Sequence, residues 1–288
     1  MRRIIIISAI LSCYVLCPAQ EVECDTALKT KCIHFWDKYN FRDTTPLQTP
    51  KVILDFIYLL SNIELNTAQE CIRNVMDRAS YSPEIYSAFA CLFERYLYNT
   101  DSCFRNDELY IPVLEHIMSS ATINDSAKIS CRNLLEHLCR NRIGERASDL
   151  TITLRDSDCI QLHEINATYI ILLFHNLECS VCRQAIADIM NSETIVSMQY
   201  QDELRIISIY PGEDIQQWAK SRFPASWLNG YDSYNQISQN AIYYIRQYPT
   251  LYLLDQDKTI LIKDRSFSEI ENYLMDKKQG GSRKSLKE

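Results

Sequence analysis

Glycine is scarce, with 5 in 288 residues. That excludes a glycine-rich phosphate loop and argues against a repetitive β-fold, since both depend on backbone freed from a Cβ. Positive charge is also short: 30 Lys and Arg stand against 37 Asp and Glu, for a formal net charge of −7. The chain therefore has no electrostatic footprint for nucleic acid. Beyond the N-terminus no stretch is long and apolar enough to be a transmembrane helix. The one C-x-x-C has no second C-x-x-C or C-x-x-H nearby, which weighs against a zinc site. What is present is a 47% hydrophobic fraction, enough for a sizeable core, in a chain long enough for two domains.

The N-terminus begins Met1-Arg2-Arg3 and runs apolar from Ile4 to Leu16. Two arginines, a short apolar core and the small-residue end Cys17-Pro18-Ala19 predict a secretory signal over residues 1–19, and with it a periplasmic or cell-envelope location. A second reading is the lipobox-like Ile10-Leu11-Ser12-Cys13, in which Cys13 bears lipid; only that form would sit on a membrane. Export makes disulfides possible for the 12 cysteines, although their scattered spacing is not that of a small stapled scaffold.

Residues 20–142 read as an all-α domain. Apolar residues recur three and four apart, as in Val52, Phe56, Leu59, Leu60 and Ile63. Helices are predicted over Ala27–Tyr39, Lys51–Ile63, Ala68–Ala79, Pro83–Tyr98, Asp107–Ser119 and Ser126–Asn141. Pro50, Ser82-Pro83-Glu84, Asn66-Thr67 and Asn124-Asp125 supply starts and caps. His34, His116 and His137 show no metal-ligand spacing. Cys71, Cys91, Cys131 and Cys139 read as small buried hydrophobes, and Cys24 with Cys32 as a candidate local disulfide. Phe35-Trp36-Asp37-Lys38-Tyr39-Asn40-Phe41 reads as core plus a helix end, or else as an exposed partner-binding edge.

At Ile143-Gly144 the period changes. Leu150–Leu154 alternates like a strand and returns through Cys159–Leu162 as a hairpin. Tyr169–Phe174 is continuously apolar, as in a central strand buried on both faces. A helix over Cys179–Met190, a strand over Leu204–Tyr210, a helix over Asp214–Arg222 and a weak helix over Ile237–Ile245 follow. Strands Thr250–Leu254 and Thr259–Lys263 then pair across a turn. A helix over Ser266–Asp276, capped by Ser266 or Ser268, closes the domain at 143–276, and residues 277–288 form a polar tail expected to be disordered.

The chemistry concentrates at Cys179-Ser180-Val181-Cys182, just past the central strand. If Cys179 opens a helix, unpaired N–H groups and the helix dipole favour its thiolate. The dipole contributes about 0.3–1 kcal/mol, less than one pKa unit. Cys182, one turn on, is the more buried and would act as resolving thiol. The spacing alone also admits half a zinc site, a structural disulfide or a peroxidase-like site. Against the last, Asn176 stands where a Thr is usual and no Pro precedes it.

Ile245-Arg246-Gln247-Tyr248-Pro249-Thr250-Leu251 places a proline directly before a strand. Together with the C-x-x-C, it resembles the thioredoxin superfamily. Ile143-Gly144-Glu145-Arg146-Ala147-Ser148-Asp149-Leu150 is similar to the opening of its TlpA-like envelope branch of thiol–disulfide oxidoreductases. The aromatic helix end around Trp36 resembles a helical domain of unknown function found ahead of thioredoxin-like modules in Gram-negative envelope proteins. The resemblance implies an α+β two-domain chain: an all-α N-terminal domain, then a thioredoxin-like α/β domain with a mixed central sheet flanked by helices. It implies Cys179 and Cys182 as catalytic, a cis Pro249 against their sulfurs, and Tyr248, Pro249 and Thr250 as substrate-binding. It implies no dissociable cofactor beyond the cysteine pair. The implied partners are protein thiols or disulfides and an envelope redox donor, with no nucleic acid. Two departures stand out. Glu178 replaces the usual aromatic before the first cysteine and opposes thiolate formation, with His175 a possible offset. The buried acid that assists the family's resolving cysteine has no clear counterpart. The rival reading is an envelope binding or scaffold protein with a vestigial thioredoxin fold and a structural disulfide.

Overall fold

A computed structural model describes residues 18–285 apart from 45, 46, 48, 122 and 238, with side chains described over 26–278. The signal segment up to Cys17, with Cys13, and the last three residues lie outside the described residues. The chain divides into two compact units, one ending at His116 and the other starting at Ile117.

The first unit is helical. It holds α1 (Pro18–Ile33), α2 (Pro50–Leu60), α3 (Leu65–Ala79), α4 (Pro83–Phe93) and most of α5 (Asp107–Ser119). Their cores follow the 3.6 period: Ile53, Phe56, Ile57, Leu60 on α2 and Ala68, Ile72, Val75, Met76, Ala79 on α3 are buried. Trp36 is buried edge-on against Phe56 and Phe89, at centroid distances of 5.3 and 5.0 Å. Arg78 donates to the Trp36 carbonyl (2.8 Å) and lies over the Phe41 ring. The aromatic cluster is therefore core. Turning Trp36 inward ends α1 at Ile33, six residues before the predicted end, and single turns carry the chain to Tyr39. The predicted Pro83–Tyr98 helix is α-helical to Phe93 and finishes in a wide π turn over Glu94–Tyr98.

Capping follows chemistry with one exchange. Ser82 caps α4, with the Ile85 N–H donating to its hydroxyl. At α3 the cap is Glu64, not Asn66-Thr67. Its carboxylate accepts from the backbone N–H of both residues at 2.9 Å, which lowers its pKa. The predicted Cys24–Cys32 disulfide does not form. Both residues lie on α1, where eight residues span about 12 Å, well beyond disulfide reach. Cys32 is instead a buried free thiol. Cys91 and Cys139 are exposed, against expectation: Cys91 falls opposite the α4 face that buries Phe89 and Phe93, and Cys139 is the C-cap of α6 (Asp125–Leu138).

The second unit is a seven-stranded mixed sheet with helices. Its strands are β1 (Thr151–Leu154), β2 (Cys159–Gln161), β3 (Tyr169–Phe174), β4 (Leu204–Tyr210), β5 (Leu228–Tyr231), β6 (Thr250–Asp255) and β7 (Ile260–Lys263), in the order β2-β1-β5-β4-β3-β6-β7. β4 runs parallel to β3 and β5, and the other pairings are antiparallel. β3 sits inside the sheet. Ile170, Leu172 and Phe174 face one core with Tyr243 and Tyr252, while Ile171 and Leu173 face the other with Ile189, Met198 and Leu274. Burying each such side chain is worth roughly 1.5–3 kcal/mol, so the strand that leads into the cysteine loop is anchored on both faces.

The helices of this unit are α6, α7 (Ser180–Asn191), α8 (Glu193–Tyr200), α9 (Ile215–Lys220) and α10 (Phe267–Ser285). α8 and β5 carry too little pattern to be read from sequence. β5 is four residues long with Asn229 and Gly230 in its middle. Gly230 is required there: an added Cβ would lie 2.9 Å from the Thr153 carbonyl and against Ile152 on β1. The weak helix over Ile237–Ile245 is absent. Buried Asp232 accepts from the N–H groups of Gln236 (3.0 Å) and Ile237 (2.7 Å), while Arg140 and Asn141 donate to the carbonyls of Asn240, Ala241 and Ile242. Side chains thus satisfy the backbone groups that a helix would pair. The tail is also corrected. α10 continues past Asp276 to Ser285, with Lys278 donating to Ser197 on α8 at 2.7 Å. Among the described residues no helix is long and apolar enough to cross a membrane.

Candidate functional site

The sheet register builds the site. Phe174 ends β3 opposite Thr250, the first residue of antiparallel β6. One step outward on each strand therefore brings the loop after Phe174 alongside Tyr248-Pro249. In that loop the Asn176 side chain accepts from the Glu178 N–H (3.3 Å) and its carbonyl accepts from the Cys179 N–H (3.4 Å). This compact turn delivers Cys179 to the N-cap of α7.

Cys179 and Cys182 form a disulfide, with Cα atoms 5.2 Å apart. The Cys182 N–H donates to Cys179 Sγ at 3.0 Å, so the sulfur takes the place of a capping oxygen. In the reduced protein that donor and the dipole of a twelve-residue helix stabilise negative charge on Cys179. Cys182 is buried at 1% exposure, whereas Cys179 is part-exposed. Cys179 Sγ lies 3.6 Å from the Tyr248 carbonyl oxygen, and the Tyr248–Pro249 peptide is cis. Thr250 is buried and its hydroxyl donates to the Gln247 carbonyl at 2.7 Å, bracing the turn behind the proline. All five residues singled out in the sequence thus converge.

The two groups flanking the pair differ sharply. Glu178 is exposed, so its carboxylate acts on Cys179 through solvent and salt. His175 is 2% exposed, packed against Phe223 at a ring distance of 5.1 Å and against Tyr210 at 6.2 Å. Its backbone N–H donates to the Ile209 carbonyl, while its Nε2 has no hydrogen-bond partner. Burial pushes its pKa down to about 4. At neutral pH it is uncharged, so it does not offset Glu178. Burial also holds the Tyr248 phenol above its ordinary range, with Tyr210 adding to the shift.

Sequence reasoning missed the Arg246–Asp264 ion pair (2.7 Å), buried at 6% and 9% side-chain exposure. It ties the segment before Tyr248 to the end of β7. A charge pair 18 residues apart leaves no short-range pattern to find.

The chain matches a solved thioredoxin-like protein from Bacteroides caccae at 33% identity, over 96% of this chain and 99% of that one, with a TM-score of 0.83. The C-terminal domain of an uncharacterized protein from Bacteroides fragilis matches at 36% identity over 47% of this chain and 98% of that chain, with a TM-score of 0.46. A conserved protein of unknown function from the same species matches at 31% identity over 46% and 98%, with a TM-score of 0.45. A family model described as a domain of unknown function, DUF5106, matches residues 28–141. No curated protein matches.

Proposed function

Since the chain belongs to the thioredoxin-like family, we propose that it is an exported thiol–disulfide oxidoreductase acting on other proteins through Cys179 and Cys182. One observation carries the reading: the disulfide caps α7, with the sulfur of part-exposed Cys179 against the Tyr248 carbonyl. A staple needs neither the exposure nor the helix terminus. In the reducing direction the Cys179 thiolate attacks a substrate disulfide, and the substrate's S–S bond breaks to release one thiolate. Cys182 loses its proton and displaces the second thiol, regenerating the disulfide seen here. In the oxidising direction a substrate thiolate attacks Cys179, and the same steps run backwards. Tyr248 and Pro249 line the substrate side, and Thr250, named with them from the sequence, is buried and braces the turn behind the proline. No dissociable cofactor takes part; in the reducing direction a redox donor of the envelope returns the pair to the dithiol, and in the oxidising direction an electron acceptor returns it to the disulfide. Export rests on the Met1-Arg2-Arg3 leader and its apolar run.

The test is insulin reduction, together with the reduction potential of the pair in glutathione buffers. Cys179→Ser is expected to abolish turnover, and Cys182→Ala to trap mixed disulfides with substrate proteins. Unchanged turnover in Cys179→Ser would sink the proposal. So would a potential well below about −300 mV with no response to thiol donors, which is the behaviour of a structural staple.

A further inference from the structure

The matched domain of unknown function ends at Asn141, yet the compact unit that holds the cysteine pair starts at Ile117. The last helix of that domain, α6, therefore folds with the sheet. Its end grips the segment that leads to Tyr248-Pro249. Arg140 donates to the carbonyls of Asn240 (3.0 Å) and Ala241 (2.9 Å). Asn141 donates to the Ile242 carbonyl at 2.6 Å, and its side-chain oxygen accepts from the Ser148 N–H at 2.7 Å. The His137 ring stacks on Tyr244, with centroids 4.7 Å apart and planes 2° from parallel. Resting on the reading of Cys179 and Cys182 given above, we propose that the end of α6 is a positioning element of the thiol–disulfide site. Arg140 and Asn141 set where the Tyr248-Pro249 turn stands for an incoming protein substrate.

The turn needs such a hold. Residues 241–249 form neither helix nor strand, so no regular backbone ladder fixes their path. Side chains fix it at intervals instead. The end of α6 holds residues 240–244, Arg246 pairs with Asp264 beyond β7, and Thr250 donates back to Gln247. These anchors are joined, because Lys263 of β7 donates to the Arg140 carbonyl at 3.1 Å. A second path runs inward from Asn141. The Tyr243 hydroxyl donates to the Ser148 carbonyl at 2.6 Å, and its ring packs 5.1 Å from that of Phe174, the residue before the cysteine loop. Asparagine suits position 141 on two counts. Its φ is +51°, in the left-handed region that Asn tolerates. It is also 5% exposed, and the fold gives its amide both a donor and an acceptor partner. Cys179 Sγ lies 3.6 Å from the Tyr248 carbonyl, so a segment that slips at α6 displaces the surface beside the reacting sulfur. Misplacement by about 1 Å costs up to about a hundredfold in rate when large reactants must align. A small dithiol needs only the sulfur and not the turn, so α6 should matter for protein disulfides and not for small thiols.

The experiment compares the full chain with Arg140→Ala, Arg140→Lys and Asn141→Asp. Arg140 is exposed, so its loss leaves no hole in the core. Asn141→Asp keeps the acceptor for Ser148 and removes the donor to Ile242. Insulin reduction is expected to lose about five- to twentyfold in kcat/KM in Arg140→Ala and Asn141→Asp, with Arg140→Lys, which keeps a charged donor, recovering most of the loss. The rate at which dithiothreitol opens the Cys179–Cys182 disulfide, and the equilibrium of the pair with glutathione, should stay within about twofold of the parent. Hydrogen exchange read by mass spectrometry should rise over residues 240–250 and stay unchanged across β3 and β4. Insulin kinetics equal to the parent's would overturn the proposal. So would a loss shared equally by insulin and dithiothreitol, or exchange raised throughout the unit, which is what a merely structural role gives. A parent that fails to reduce insulin would remove the reading of the cysteine pair. Exchange over 240–250 would then decide by itself whether α6 holds the turn, with unchanged protection in the variants overturning it.

Discussion

His175 makes stability depend on acid in a calculable way. Its folded pKa is about 4 because burial disfavours the charged ring, whereas in the unfolded chain it titrates near 6.5. The folded pKa of this base is depressed, so the unfolded state takes up the proton first as pH falls. The neutral ring costs nothing above pH 6.5, and stability drains away between about 6.5 and 4. From pH 7 to 4.5 the loss works out at about 2–3 kcal/mol, a large share of a typical 5–15 kcal/mol total. Carboxylates titrate across part of the same window, so the quantity to read is a difference. Urea unfolding of the parent and of His175→Phe, both with the disulfide intact, should be compared at half-unit steps. The stability gap should shift by about 2–3 kcal/mol in the variant's favour on acidification, with the steepest change near pH 5–6. Phe removes the unpartnered Nε2, so at pH 7 it should be near neutral or slightly stabilising. A gap that stays flat from pH 7 to 4.5 would refute the buried, neutral assignment.

Gly230→Ala should destabilise by about 1–3 kcal/mol or more, because the added methyl meets the Thr153 carbonyl at 2.9 Å between paired strands; urea midpoints measure it, and a neutral result would mean that β1 and β5 are not packed as described. Asp264→Ala removes the carboxylate paired at 2.7 Å with the buried Arg246 and should destabilise by up to about 3–5 kcal/mol. Replacing both partners with apolar residues should recover much of that loss in a double-mutant cycle. Glu178→Gln should lower the Cys179 pKa of the reduced protein by less than about one unit, and less still at 1 M salt, as read from thiolate absorbance. A large, salt-insensitive drop would place the carboxylate against the sulfur instead of in solvent.

What could be read from the sequence follows from where its information is local. Tyr169–Phe174 is apolar at every position, and only a strand buried on both faces accounts for that; β3 covers the same six residues. Asp107–Ser119 is likewise helix end to end, despite Pro112 inside it. β5 and the segment around Ile237–Ile245 were hidden for the opposite reason. β5 exists because β4 and β1 offer free edges on either side of it, and Asn229-Gly230 has no strand character of its own. Ile237–Ile245 has helical residues, but Asp232, Arg140 and Asn141 claim its backbone groups first, and none of those three lies within the segment.

The site divides the same way. The cysteine spacing and the proline before a strand are local marks, and register alone brings them together once Phe174 pairs with Thr250. Electrostatics is not local. Glu178 and His175 stand three residues apart, and from sequence either could dominate the thiol between their environments. Folding separates them: the residue just past the last buried position of β3 stays inside, and the residue three further on is thrown into solvent by the Asn176 turn. The charge that opposes the thiolate is thereby screened, and the group that would have helped is neutral. In the proposed enzyme the reactivity of Cys179 would then rest mainly on what the fold itself supplies, the N-terminus of α7 and the Cys182 N–H at 3.0 Å. Those donors are backbone, present in every sequence able to form this turn, so the site's acidity should change little when either flanking side chain is replaced and substantially when the start of α7 is disturbed.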